Sequence, residues 1–101
     1  MNRLISDNID NIQTLCMTHK VKSLFASGSI CTDKFNDKSD VDLLISFQPM
    51  DYGDYADTYF ILADKFEYLF NRKVDLVTDK SLSNPYFISS INLTKTLIYG
   101  A

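Results

Sequence analysis

Apolar residues recur along this chain with two periods, and the switches between them mark its segments. Ile5, Ile9, Ile12 and Cys16 fall four, three and four apart and leave Asp7, Asp10, Asn11 and Lys20 outside, which predicts a helix over 6–19. A short apolar segment, 21–26, reads as a strand stopping at Gly28-Ser29. After a polar connection, 33–39, a second strand over 41–47 ends at Gln48-Pro49, because proline brings no N–H to a ladder. Its nearly unbroken apolar run suits a central strand covered on both faces. A tyrosine-rich loop, 50–57, leads into a helix over 54–70, with Tyr55, Tyr59, Leu62, Phe66 and Leu69 as its buried stripe. Asn71-Arg72 turns the chain into a third strand, 73–77, with Val74 and Leu76 inward and Asp75 on the opposite face. Ser83 or Asn84 can cap a final helix opening on Pro85 and packed by Phe87, Ile88 and Ile91. Residues 96–99 add a short extended tail.

Strands interleaved with helices predict an α/β chain with a small mixed sheet flanked by helices. At 101 residues, 46% of them hydrophobic, one domain over 1–101 with a modest core is expected. A net charge of −3 lacks the basic footprint of a nucleic-acid module, which turns attention to small-molecule or protein substrates. Cys16 and Cys31 match no zinc pattern with a single histidine, His19. No apolar run reaches membrane-spanning length and no signal peptide is evident, so a cytoplasmic protein with free thiols is expected and no membrane partner.

The chemistry concentrates between residues 24 and 47. Asp40 and Asp42 point to one face of an extended segment while Val41, Leu43 and Ile45 point to the other, and their Cα atoms lie roughly 6.6 Å apart. If the first two strands are antiparallel neighbours, Gly28-Ser29 and Asp40/Asp42 share one sheet edge. Gly28 admits close approach of an oxyanion to the backbone, Ser29 adds a hydroxyl and an amide, and the carboxylates suit Mg²⁺. Asp75 sits mid-strand against propensity. A third carboxylate facing Asp40 and Asp42 explains it, and so does an ion pair with Arg72 or Lys73 on a solvent face. Asp51, Asp54 and Asp57 are read as complements to a helix N-terminus, and His19 as a dipole contact or solvent group at a helix C-terminus. Cys16 is read as core, and Tyr52 as a loop residue free to touch a bound base.

Gly28-Ser29, ten residues, then Asp40-Val41-Asp42 and Leu43-Leu44-Ile45 resembles the DNA polymerase beta-like nucleotidyltransferase superfamily, and within it the minimal nucleotidyltransferases that include MntA-like antitoxins. The 21–25 strand, Lys73-Val74-Asp75-Leu76-Val77 and Asn84-Pro85-Tyr86-Phe87 extend the likeness over nearly the whole chain. The resemblance implies that Gly28 and Ser29 hold the phosphates of a nucleoside triphosphate such as ATP, and that Asp40, Asp42 and Asp75 bind Mg²⁺ and carry catalysis. It also implies a HEPN-type helical protein partner, adenylylated on a tyrosine or neutralised by binding, and it allows a homo-oligomer. Family members commonly continue Gly-Ser with Arg-Ala-Arg-Gly, whereas this chain reads Ile30-Cys31-Thr32-Asp33, leaving Lys34 or Lys38 as substitute cations. A catalytically weak binding subunit is the alternative. Transfer to a small molecule such as an aminoglycoside is disfavoured, because no second domain is present to form that pocket.

Overall fold

The computed structural model describes residues 2–81 and 85–100. Helices α1 (Arg3–Ser6) and α2 (Ile9–Thr18) precede strand β1 (Val21–Ser27), and a 3₁₀ turn (Gly28–Cys31) leads towards β2 (Val41–Phe47). Helix α3 (Tyr52–Phe70) then crosses to β3 (Val74–Thr78), and a 3₁₀ turn (Asp79–Ser81) precedes α4 (Pro85–Thr94) and β4 (Thr96–Gly100). The sheet runs β3-β2-β1-β4, with β1 antiparallel to both its neighbours and β2 parallel to β3. Strand β2 is therefore central, as its apolar run requires.

One face of β2 carries Val41, Leu43 and Ile45, each at most 1% exposed, which pack in one cluster with Ile12, Cys16, Leu62 and Phe66. Its other face carries Asp42 and Leu44, and Leu44 shares a cleft with Ile91 and Thr94 of α4. The two faces thus divide the labour between core and chemistry. Phe66, with no exposed surface, anchors α3 on the sheet, so Phe66→Ala should cost about 3–5 kcal/mol of stability, readable by denaturant unfolding.

The expected N-terminal helix over 6–19 is broken at Asp7-Asn8. Asn2 Oδ1 accepts from Leu4 N–H at 2.8 Å and starts α1, while Asn8 Nδ2 donates to the Leu4 carbonyl at 2.8 Å. The Asn8 amide thus takes a carbonyl that a continuous helix would need for its backbone. Ile5 still reaches the core, at 1% exposure. Helix α3 begins two residues before the expected position 54, and Asn71 closes it in the left-handed region at φ 52°, a conformation asparagine tolerates. Of its expected stripe, Leu62 and Phe66 are buried, but Tyr55, Tyr59 and Leu69 are only half-buried, and Phe70 completes the core instead. Tyr55 stands edge-on to Phe47, with ring centroids 5.1 Å apart.

Strand β3 starts at Val74 rather than 73, although the Lys73 carbonyl accepts from Val41 N–H at 3.0 Å. Pro85 opens α4 as expected, with Ile91 buried and Ile88 half-buried. The expected caps Ser83 and Asn84, and the side chain of Phe87, lie outside the described residues. The expected tail over 96–99 is the edge strand β4, paired with β1 and anchored by buried Ile98. Among the described residues no helix is long and apolar enough to cross a membrane.

Candidate active site

The antiparallel register of β1 and β2 sets Ser27 opposite Asp42. Gly28 comes next at φ 73°, and this left-handed residue swings the chain out of the sheet into its 3₁₀ turn. A β-carbon at Gly28 would overlap Oδ2 of Asp42. The glycine is therefore required twice, for its backbone angle and for the carboxylate beside it. Its N–H donates to Thr94 Oγ1 of α4 at 3.4 Å.

The parallel register of β2 and β3 sets Asp42 opposite Asp75. Neighbouring strands lie about 4.8 Å apart, so two carboxylates stand side by side on the face away from the core. Ser27, Gly28, Asp42, Leu44, Asp75, Val77, Ile91 and Thr94 line a cleft of about 260 Å³. Burial, then the charges of Asp75 and Asp40, push the Asp42 carboxyl above its ordinary range. Three negative groups therefore act on one another at a partly dehydrated edge.

The expected site residues do not all meet in this cleft. Gly28, Asp42 and Asp75 line it, whereas exposed Asp40, just ahead of β2, acts on Asp42 through its charge. Ser29 lies in the turn, where its carbonyl accepts from Thr32 N–H and Oγ1, each at 2.9 Å. Among the described residues no three His, Cys, Asp or Glu side chains come close enough together to hold a metal ion. The donors nonetheless fit a hard cation such as Mg²⁺, which binds through one or two carboxylates and completes its shell with substrate phosphates and water. Burial first, and then the neighbouring charges of Asp75 and Asp40, disfavour the ionised Asp42 carboxylate, and a bound cation would offset both.

Arg72 does not pair with Asp75. Its Nη1 donates to the carbonyls of Asn36 at 3.0 Å and Ser39 at 2.9 Å, and its guanidinium lies 4.6 Å from the centre of the Phe35 ring. It thereby ties down the connection that delivers Asp40. Ile30, where the family pattern has an arginine, is 3% exposed and belongs to the core, so the turn is anchored by apolar packing. Lys34 and Lys38 are exposed on the loop beyond.

Asp51 precedes α3 and Asp54 lies in its first turn, in keeping with the dipole reading. Tyr52 is the first residue of α3 rather than part of a loop, and it does not line the cleft. His19 caps the C-terminus of α2 as expected and is half-buried; burial followed by the charge of Lys65 lowers its pKa, which weakens the charged form of the dipole contact, one of its two expected roles. Both cysteines are free, and burial pushes the Cys16 thiol up to about 12, as a core thiol requires. Ser27, Leu44, Val77, Ile91 and Thr94 were not expected in the site, since only the folded register brings β1, β2, β3 and α4 to one cleft.

A mixed sheet whose neighbouring strands present facing aspartates beside a Gly-Ser turn is the arrangement expected of a nucleotidyltransferase. The chain belongs to the family described as Polymerase beta, Nucleotidyltransferase, whose model matches residues 10–101. Among similar proteins, "Putative protein adenylyltransferase MJ1379" of Methanocaldococcus jannaschii is 36% identical over 80% of this chain and 78% of its own. A second protein of that organism, named likewise with the designation MJ0128, is 38% identical over the same shares. The fold is that of solved minimal nucleotidyltransferases. One structure so described superposes with a TM-score of 0.68 at 22% identity, covering 95% of each chain. Another, a toxin-antitoxin with AMP-PNP, gives 0.72 at 21% identity, over 93% of this chain and 74% of the other. A third, a tri-AMPylated Shewanella oneidensis HEPN toxin in complex with MNT antitoxin, gives 0.67 at 19% identity, over 95% and 72%.

Proposed function

We propose that this chain transfers AMP from ATP to a hydroxyl of a partner protein, and that the acceptor is a tyrosine of a HEPN-type helical toxin, which the chain thereby neutralises in the cytoplasm. The observation that carries the reading is the register of Asp42 opposite Asp75, beside a glycine whose missing side chain leaves room for the Asp42 carboxylate. Relatives named as protein adenylyltransferases, at 36% and 38% identity, support the donor and the protein acceptor. A toxin-antitoxin complex and a tri-AMPylated HEPN toxin among the structural neighbours support the partner.

Asp42 and Asp75 would hold Mg²⁺ in the cleft, with exposed Asp40 adding its charge, or a further ligand, from just ahead of β2. When bound, the ion supplies charge neutralisation at the triphosphate and acidifies the acceptor hydroxyl. The backbone of Gly28-Ser29 would accept the outer phosphates, with Gly28 N–H exchanging its long bond to Thr94 for a phosphate oxygen. The acceptor oxygen forms a bond to the α-phosphorus as the bond to the pyrophosphate oxygen breaks. The hydroxyl proton passes to Asp75, which is exposed at the cleft and free to hand it to water. The products are an adenylylated tyrosine and pyrophosphate.

A second reading, a binding subunit with weak catalysis, is favoured by the buried Ile30 at a position where the family carries arginine. An arginine on a phosphate contributes roughly 1.5–3 kcal/mol. Calorimetry with ATP separates the two readings. Under the first, binding requires Mg²⁺, is removed by EDTA and is lost in Asp40→Ala. Absence of binding at millimolar ATP, with the toxin still neutralised, would select the second.

A further inference from the structure

Strand β3 is an edge of the sheet, and its ladder to β2 fixes which way its backbone groups point. Lys73 carbonyl accepts from Val41 N–H, and backbone groups along a strand turn alternately to its two sides. The backbone groups of Lys73 and Asp75 therefore face β2, while those of Val74 and Leu76 face the open side. An open edge offers such groups to water or to another chain. Here one helix takes one group from each residue. Val74 N–H donates to Glu67 Oε2 at 3.1 Å, and the Leu76 carbonyl accepts from the Tyr59 hydroxyl at 2.5 Å. Val74 and Leu76 are the residues on either side of Asp75.

The alternation of inward and outward residues alone does not fix this strand lengthwise. Val74 and Leu76 point inward, and a slip of two residues keeps an inward-facing set inward. Such a slip would carry Asp75 roughly 6.6 Å away from Asp42. The two bonds from α3 single out one register. We propose that Tyr59 and Glu67 are positioning residues, which clamp the outer edge of β3 so that the Asp75 carboxylate stays opposite Asp42. The inference rests on the reading of Asp75 as a metal-site carboxylate.

Binding of Mn²⁺ with ATP, followed by electron paramagnetic resonance well below the melting temperature, tests this without an acceptor. Tyr59→Phe keeps the ring and removes the donor, and it should weaken Mn²⁺ binding about tenfold, the low end for a group that orients a ligand from behind. Glu67→Ala should do the same. Glu67→Gln, which retains an acceptor for Val74 N–H, should bind as the wild type does, whereas a loss of mere charge would affect it equally. Asp75→Asn is the control for the underlying reading and should abolish binding, leaving the spectrum that Mn²⁺ and ATP give without protein. Wild-type affinity in Tyr59→Phe and Glu67→Ala, with binding lost in Asp75→Asn, would overturn the clamp and leave the metal site standing. Wild-type affinity in Asp75→Asn would remove both. If Tyr59→Phe does not fold, the Glu67 pair decides the matter alone.

Discussion

Asp42→Asn is expected to lower nucleotidyl transfer about 10³-fold while raising the melting temperature at neutral pH. With Asp42 holding Mg²⁺ as proposed, the loss follows from the missing ligand charge. A metal contributes several kcal/mol to stabilising charge in a transition state, and each 1.36 kcal/mol is tenfold in rate. The gain follows from the same charge in the free protein, where Asp42 is half-buried and faces Asp75 and Asp40. Asparagine keeps the shape and removes the repulsion. A site that costs stability in order to hold substrate is a common trade in enzymes.

The pH dependence gives the prediction its sign. Burial, Asp75 and Asp40 raise the folded-state pKa of Asp42 above its ordinary value. Between the ordinary and the raised value the folded chain binds more protons than the unfolded one, so stability falls as pH rises through that window. The penalty persists above it and vanishes below the ordinary carboxylate range. Thermal unfolding of the wild type and Asp42→Asn across acid to neutral pH should thus show a gap that closes on acidification. Added Mg²⁺ should raise the wild-type melting temperature, since a ligand of the folded state stabilises it, and should leave the variant unmoved. A variant less stable than the wild type at neutral pH would count against like-charge repulsion at this edge.

The strands, and the glycine and two aspartates of the candidate cleft, could be read from the chain because they rest on local periodicity and on conflicts with it. Asp75 drew notice as an aspartate at a strand centre, and Asp40 and Asp42 by alternating with apolar neighbours. What escaped depends on contacts between distant positions. Thr94 meets Gly28 across 66 residues, and Arg72 meets Asn36 across 36, so neither pairing leaves a mark on sequence spacing. Tyr59 illustrates the ambiguity most clearly. Its helical spacing assigned it to the core, yet its ring is half-buried and its hydroxyl serves the edge of β3. The break in the first helix escaped for a different reason. The apolar period runs on through Asn8, and only the folded chain shows its side chain competing for a carbonyl.

Gly28→Ala should damage the site by two separable routes, and their separation tests how tightly the phosphate turn and the carboxylate are built together. The first is backbone strain. Alanine at φ 73° costs about 1–2 kcal/mol, felt as lower stability whatever else happens. The second is steric. The added carbon would overlap Oδ2 of Asp42, and Asp42 is held between Ser27 on β1 and Asp75 on β3. The carboxylate must then rotate out of the cleft or the turn must shift, and displacement by about 1 Å at a reacting centre can cost 100-fold in rate. In an Asp42→Ala background the overlapping atoms are gone, and the new carbon would lie 3.5 Å from that residue's Cβ, an ordinary contact. A double-mutant cycle on unfolding free energy should therefore find Gly28→Ala distinctly more costly beside Asp42 than beside alanine, with the strain cost common to both. Strictly additive effects would mean that the turn yields freely. The glycine would then serve its backbone angle alone, and nucleotide transfer in Gly28→Ala should fall by no more than the strain explains.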